Sequence, residues 1–254
     1  MNAPDPLPAI TTPPRHFIGN RWVAPEAGAT LPMIDPSDGL PFAAIAAGTP
    51  PDIDRGVAAA QCARDGAWGR LAPAERGRTI AKIGQAILDH AEELALIEAR
   101  DCGKPMKQAR ADVSACARYF EFYGGACDKL HGETIPYPAG YTVLTWREPH
   151  GVTGHIIPWN YPMQIFGRSV GGALAAGNAC VVKPAEDACS RCCVSPSSRR
   201  ALAFPTAQST SSPASGAMRA RRSLRIAASS ICRSPVRQRP EPLSPLRPGS
   251  GIVR

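Results

Sequence analysis

Three side chains in the second half of the chain have the types and spacing to act together. Asn160, in the run Pro158-Trp159-Asn160-Tyr161-Pro162, carries an amide NH2 that can donate to an oxyanion forming on a carbonyl. The same position also suits an Asn that caps the helix after it, and the residues alone favour neither role. Lys183 and Glu186 follow in Lys183-Pro184-Ala185-Glu186, at the end of an apolar run. A lysine is usually a surface residue, and this one stands at a strand end near Glu186. The cysteines suggest less. Cys189, Cys192 and Cys193 are clustered, but a tetrahedral metal site needs a second ligand pair. Only Cys232 follows, with no His after position 188, so no metal is expected.

These groups need elements that bring them together. Val152–Ile157 reads as a short strand, 163–176 as a helix rich in small residues, Gly177-Asn178 as a turn, and Ala179–Val182 as a buried strand. Strand, helix and strand with short connections form a parallel βαβ unit. Ligands of such sheets gather at the carboxyl ends of the strands, where both motifs fall. Upstream, residues 17–45 read as short strands. A helix opens at Pro51-Asp52-Ile53-Asp54 and ends near Gly66. One apolar stripe, Ile80, Ile83, Ile87, Ala91, Leu94 and Ile97, predicts a single helix from Pro73 to Gly103-Lys104-Pro105. A further helix spans about 106–129, its Tyr119, Phe120, Phe122 and Tyr123 read as core or interface packing. Thr134–Glu148 reads as a hairpin around Pro138-Ala139-Gly140.

The pairing of GVTGHIIPWNYP with GNACVVKPAE about 20 residues on resembles the nucleotide-binding core of the aldehyde dehydrogenase superfamily. FIGNRWV, the helix ending in DCGKP and the hairpin resemble it too, so the likeness covers roughly 16–188. It implies an α/β fold: an incomplete Rossmann-type nucleotide-binding domain over 16–188, with the hairpin (about 131–150) as an oligomerisation arm. The dinucleotide fingerprint G-x-G-x-x-G follows no strand here, which fits this family's variant of the domain. The implied reaction is oxidation of an aldehyde to a carboxylic acid with NAD, in a homo-oligomer at full length; a cytoplasmic location is expected from the scattered cysteines. Asn160 matches the family asparagine that holds the thiohemiacetal oxyanion, and Lys183 the lysine that contacts the adenosine ribose. Glu186 can accept from the ribose 2′-OH and would repel a 2′-phosphate, favouring NAD over NADP. Ile156, Ile157, Pro158 and Trp159 would line the cofactor groove, which is compatible with plain strand packing. Asp101 matches a position that helps ligate a monovalent cation in some members, although a solvated acid at a helix end is the simpler reading.

Composition divides the chain at the same place. Residues 189–254 hold 12 Arg, no Lys and one acid, Glu241, a net charge of +11; the first 188 therefore carry +8 − 11 = −3. Serine follows the split, with Ser37, Ser114 and Ser169 before position 189 and 14 after it. The step marks 189–254 as a disordered tail outside the family pattern, and proline makes 1–15 disordered or extended. Neither a secretory h-region nor a membrane span is expected, and an odd, scattered cysteine count suggests thiols in a reducing compartment. The family's nucleophilic cysteine, general-base glutamate and Phe-Thr-Gly-Ser loop are not found after 188, which predicts a truncated, inactive form.

A shifted reading frame accounts for the tail. Regrouping GC-rich codons two bases on, from Cys189, permits an amphipathic helix, a turn and a strand. Near Cys232–Pro240 it permits Ser-Phe-Thr-Gly-Ser. Two other functions compete. An Arg/Ser-rich tail could hold nucleic-acid phosphates, but Phe204 is its only aromatic and Arg without Lys fits shifted codons better. A non-catalytic NAD-binding or interaction fragment is the other.

Overall fold

The structure is a computed structural model that describes residues 14–188 and 206–208, the last three as backbone only. The chain begins with two ribbons: β1 (His16–Ile18) pairs antiparallel with β2 (Arg21–Val23), and β3 (Thr30–Ile34) with β4 (Pro41–Ala46). The Gly19-Asn20 turn joining the first pair has both residues at positive φ, 58° and 60°. Glycine and asparagine tolerate that region best, so the short hairpin closes there.

Five helices follow the ribbons or lie between later strands. In α1 (Pro50–Asp65), Asp52 turns back so that the Thr49 N–H donates to its carboxylate at 2.8 Å, satisfying a donor the helix leaves orphaned. The stretch predicted as one helix is two, α2 (Pro73–Asp89) and α3 (Ala91–Cys102), broken at His90 with ψ 22°. The buried stripe steps from Ile87 to Leu94, close to two helical turns, so its phase carries no trace of the break. Next come α4 (Met106–Ala126), the small antiparallel hairpin of β5 (Thr134–Ile135) and β6 (Val143–Leu144), then β7 (Val152–Ile157), α5 (Pro162–Ala175) and β8 (Ala179–Pro184).

The last described element, β9 (Thr206–Gln208), lies in the stretch assigned from sequence to a disordered tail. It pairs parallel with β8 and antiparallel with β1, so the main sheet runs β2-β1-β9-β8-β7. The rest of 189–254, with residues 1–13, lies outside the described residues.

β8 shows why its run is apolar throughout. Ala179 and Val181 pack on one face with Ile18, Ala60 and Val57, beneath α1; Cys180 and Val182 join the larger core on the other, with Phe120, Val170 and Leu174. A strand covered on both faces has no polar side to show. On that second face α5 rests on α4, and α4 on α2. The α2–α4 crossing is so close that a Cβ on Gly77 would lie 2.4 Å from the Gly124 carbonyl oxygen.

Candidate active site

β7 and β8 are parallel neighbours in the register Ile156 to Lys183 and Ile157 to Pro184. The two motifs therefore emerge side by side at the carboxyl ends of adjacent strands, as the βαβ reading required. Pro162 takes the first turn of α5, where its missing N–H costs nothing. The capping position belongs to Tyr161 and no side chain caps the helix, so the structure does not use Asn160 as a cap. Asn160 is exposed in the loop ahead of it.

The four apolar residues before Asn160 divide. Ile157 is 3 % exposed and belongs to the core, whereas Ile156 is 43 % and Trp159 58 % exposed, with Pro158 half-buried. Alternation along β7 sends Ile156 and Ile157 to opposite faces. Lys183 and Glu186 pair with each other, Nζ to Oε1 at 3.0 Å, and Lys183 also donates to the Pro184 carbonyl at 3.1 Å. Each is partly buried.

Behind the Pro158–Tyr161 loop lies a polar cluster that was read from sequence only as the stop of a helix. Gly103, at φ 64°, turns the chain out of α3, and the Lys104 N–H donates to the Ala99 carbonyl. The Lys104 ammonium then donates to Asp112 at 2.7 Å, to Glu98 at 2.9 Å and to the main-chain carbonyl of Asn160 at 3.1 Å. It also lies 4.9 Å from the centre of the Tyr161 ring. Gln108 and Gln164 both donate to Asp112 Oδ1 at 2.7 Å. Burial alone would raise the Asp112 pKa, but the bonds from Lys104, Gln164 and Gln108 hold it below the usual carboxylate range. Cys102 Sγ donates to the Trp159 carbonyl at 3.1 Å. Asp101 is 3 % exposed, so the solvated helix-end acid expected there is corrected to a buried one. Among the described residues no three His, Cys, Asp or Glu side chains group as a metal would need.

A second cluster ties the βαβ unit together. His155 Nδ1 lies 2.6 Å from Ser169 Oγ, and its Nε2 lies 2.9 Å from Thr153 Oγ1, which approaches Cys180 Sγ at 3.6 Å. Burial pushes the imidazole down to about 4. That is below the unfolded value of about 6.5, so between the two the unfolded chain binds the proton and stability falls as pH falls. The largest loss is about 3 kcal/mol at pH 4. His155→Asn should flatten this part of the profile. Urea unfolding at pH 7 and pH 5 measures it, and equal slopes in both proteins would remove His155 as the cause.

Comparison with known proteins identifies a family. The sequence profile of the Aldehyde dehydrogenase family matches residues 22–195, seven residues (195 − 188) beyond the composition boundary. A hydroxyisobutyraldehyde dehydrogenase from Mycolicibacterium austroafricanum is 43 % identical over 177 residues, 69 % of this chain and 35 % of that protein. A Burkholderia cenocepacia structure described as an aldehyde dehydrogenase is 62 % identical with a TM-score of 0.73, covering 78 % of this chain and 42 % of that one. An aldehyde dehydrogenase from Bacillus cereus, solved as its NAD+ complex, is 30 % identical with a TM-score of 0.78, covering 88 % and 50 %. The chain thus spans about a third of the length of the curated relative and half or less of the solved ones. With its parallel β7–β8 pair carrying both motifs, this chain belongs to the aldehyde dehydrogenase family.

Proposed function

We propose that residues 16–188 are part of the cofactor domain of an NAD-dependent aldehyde dehydrogenase, and that the 254-residue chain by itself does not turn over. The observation that supports the first half is the β7–β8 register, which brings the Pro158-Trp159-Asn160 and Lys183–Glu186 motifs out at the same end of the sheet. The residues present fit NAD. Ile156 and Trp159 offer exposed apolar surface, and the Lys183–Glu186 pair offers a donor and an acceptor for ribose hydroxyls. Bound there, NAD supplies a hydride acceptor. Asn160 donates its amide N–H to the oxygen of the aldehyde as that oxygen gains charge, which favours attack by a thiolate in the whole enzyme. The exposed Tyr137, Tyr141, Leu144 and Trp146 on the hairpin support its role as an oligomerisation arm, again in the whole enzyme. Placement in the cytoplasm rests on the sequence reading; no described helix is long and apolar enough to cross a membrane.

The shifted codons, which permit a helix, a turn and a strand after Lys183–Glu186 and a Phe-Thr-Gly-Ser loop near Cys232–Pro240, support the reading that 189–254 come from a frame change. Determining the nucleotide sequence around codon 188 tests it. An intact coding frame with no upstream insertion or deletion would sink it.

NAD binding tests the site directly. Calorimetry should find weak binding of NAD to the full chain and weaker binding of NADP, since Glu186 accepts a hydroxyl but repels a phosphate. In Glu186→Gln the charge goes while Lys183 stays, so the ratio of the two affinities should move towards NADP by about tenfold, or 1.4 kcal/mol. No NAD binding, or a ratio unmoved by the substitution, would count against the assignment.

A further inference from the structure

We propose that Lys104 is a positioning residue, which fixes the Trp159–Tyr161 loop by donating its ammonium proton to the main-chain carbonyl of Asn160. The purpose of that positioning rests on the functional reading above.

The geometry is unusual for a lysine. Its side chain is only 10 % exposed, and its three donors are spoken for by three oxygens from three elements: Glu98 of α3, Asp112 of α4 and the Asn160 carbonyl after β7. Both carboxylates are fully buried, so without the ammonium they would be two like charges in the interior. Burial pulls the Lys104 pKa down, but the bonds and charges of Asp112 and Glu98 more than offset it, and the group is held charged.

A buried ion pair needs only two partners, and the third bond is the informative one. It reaches across from the helical layer to a loop that has no regular backbone ladder of its own. Two further contacts act on the same loop: Cys102 donates to the Trp159 carbonyl, and Gln164 ties the start of α5 to Asp112. The loop is therefore held from behind through its carbonyls. This leaves the Trp159 and Asn160 side chains, both exposed, presented on the other side. Gly103 makes this possible, since its left-handed turn is what carries Lys104 from the end of α3 back under the loop.

The test is Lys104→Met in the full chain, read by backbone order parameters at Trp159, Asn160 and Tyr161. These should fall from about 0.85 to below about 0.6, while those of β8 and the second half of α5 stay rigid. NAD affinity should fall about tenfold, the worth of one hydrogen bond from a charged donor. Unchanged order parameters would overturn the proposal. So would a uniform loss across β7, β8 and α5, which marks a purely structural role, or a loosened loop with NAD affinity intact. If Lys104→Met does not fold, Glu98→Gln, Lys104→Met and Asp112→Asn together remove the stranded charges, and the same criteria apply. Should the unaltered chain fail to bind NAD, the functional reading falls, and the hold on the loop is then judged by the order parameters alone.

Discussion

Incubated with NAD and a panel of aldehydes, the purified 254-residue chain is expected to give no sustained production of NADH. Covalent oxidation of an aldehyde begins with a thiolate, and the described thiols are poorly placed to provide one. Cys116, Cys127 and Cys180 are buried, and burial pushes the Cys180 thiol up to about 12. Cys62 lies on α1, which packs on the opposite face of the sheet from α5. Cys102 borders the loop that carries Asn160, but it donates its proton to the Trp159 carbonyl, as a thiol does. Cys189, Cys192, Cys193 and Cys232 lie outside the described residues, in sequence that matches no family active-site context. In a comparable covalent mechanism, loss of the nucleophile costs about a million-fold in rate. A gene with its frame restored after codon 188 should regain turnover. Steady NADH from the chain as it stands, abolished by Asn160→Ala, would refute the expectation.

The second large effect is on stability. Phe120 is fully buried at the middle of α4, its ring 5.8 Å from that of Phe166 and its Cδ1 3.7 Å from where a Cβ on Gly171 would stand. It therefore packs α4 against α5, the helix that sets the Trp159–Tyr161 loop. Phe120→Ala should cost about 3–5 kcal/mol, the lost transfer energy plus a cavity walled by backbone that cannot collapse. For a domain of this size the melting temperature should drop by about 10 °C or more. Thermal unfolding followed by circular dichroism measures it, and a fall of less than about 3 °C would show that the site relaxes far more freely than its packing suggests.

How much of this was readable in advance depended on whether the deciding interaction was local. β7, α5 and β8 were legible because period, length and punctuation agree within 33 residues (184 − 152 + 1), and a parallel pair of strands needs that spacing. The end of α2 was not, because Ile87 and Leu94 keep step across His90 whether or not the chain bends there. Asn160 and Lys183 were found as residue types in a motif, but Lys104 was seen only as the residue after a helix-ending glycine. Its partners stand 6, 8 and 56 positions away, and the third of these is invisible to any local pattern. Asp101 was misjudged for the same reason: a helix end is usually wet, and only tertiary packing buries this one. β9 eluded the composition argument because sheet pairing satisfies backbone groups whatever the side chains are.

The order of strands in the main sheet also bears on how the chain acquires its shape. β1 and β2 leave the ribosome first, yet the strand that joins them to the rest of the sheet is β9, and Phe17 faces Gln208 across 191 positions (208 − 17). The helices α2, α3 and α4 are neighbours in sequence and can condense early; β7, α5 and β8 can follow as one compact unit. The first ribbon must wait. Until β9 arrives it has α1, its own hairpin and the packing of Ile18 with Ala179 and Val181 to hold it, with the outer N–H and C=O groups of β1 unmet. Closing so long a loop is slow, and an edge left open for that time is a place where a second nascent chain can pair. The last described strand thus decides whether the first described segment ends up in its own sheet or in a neighbour's.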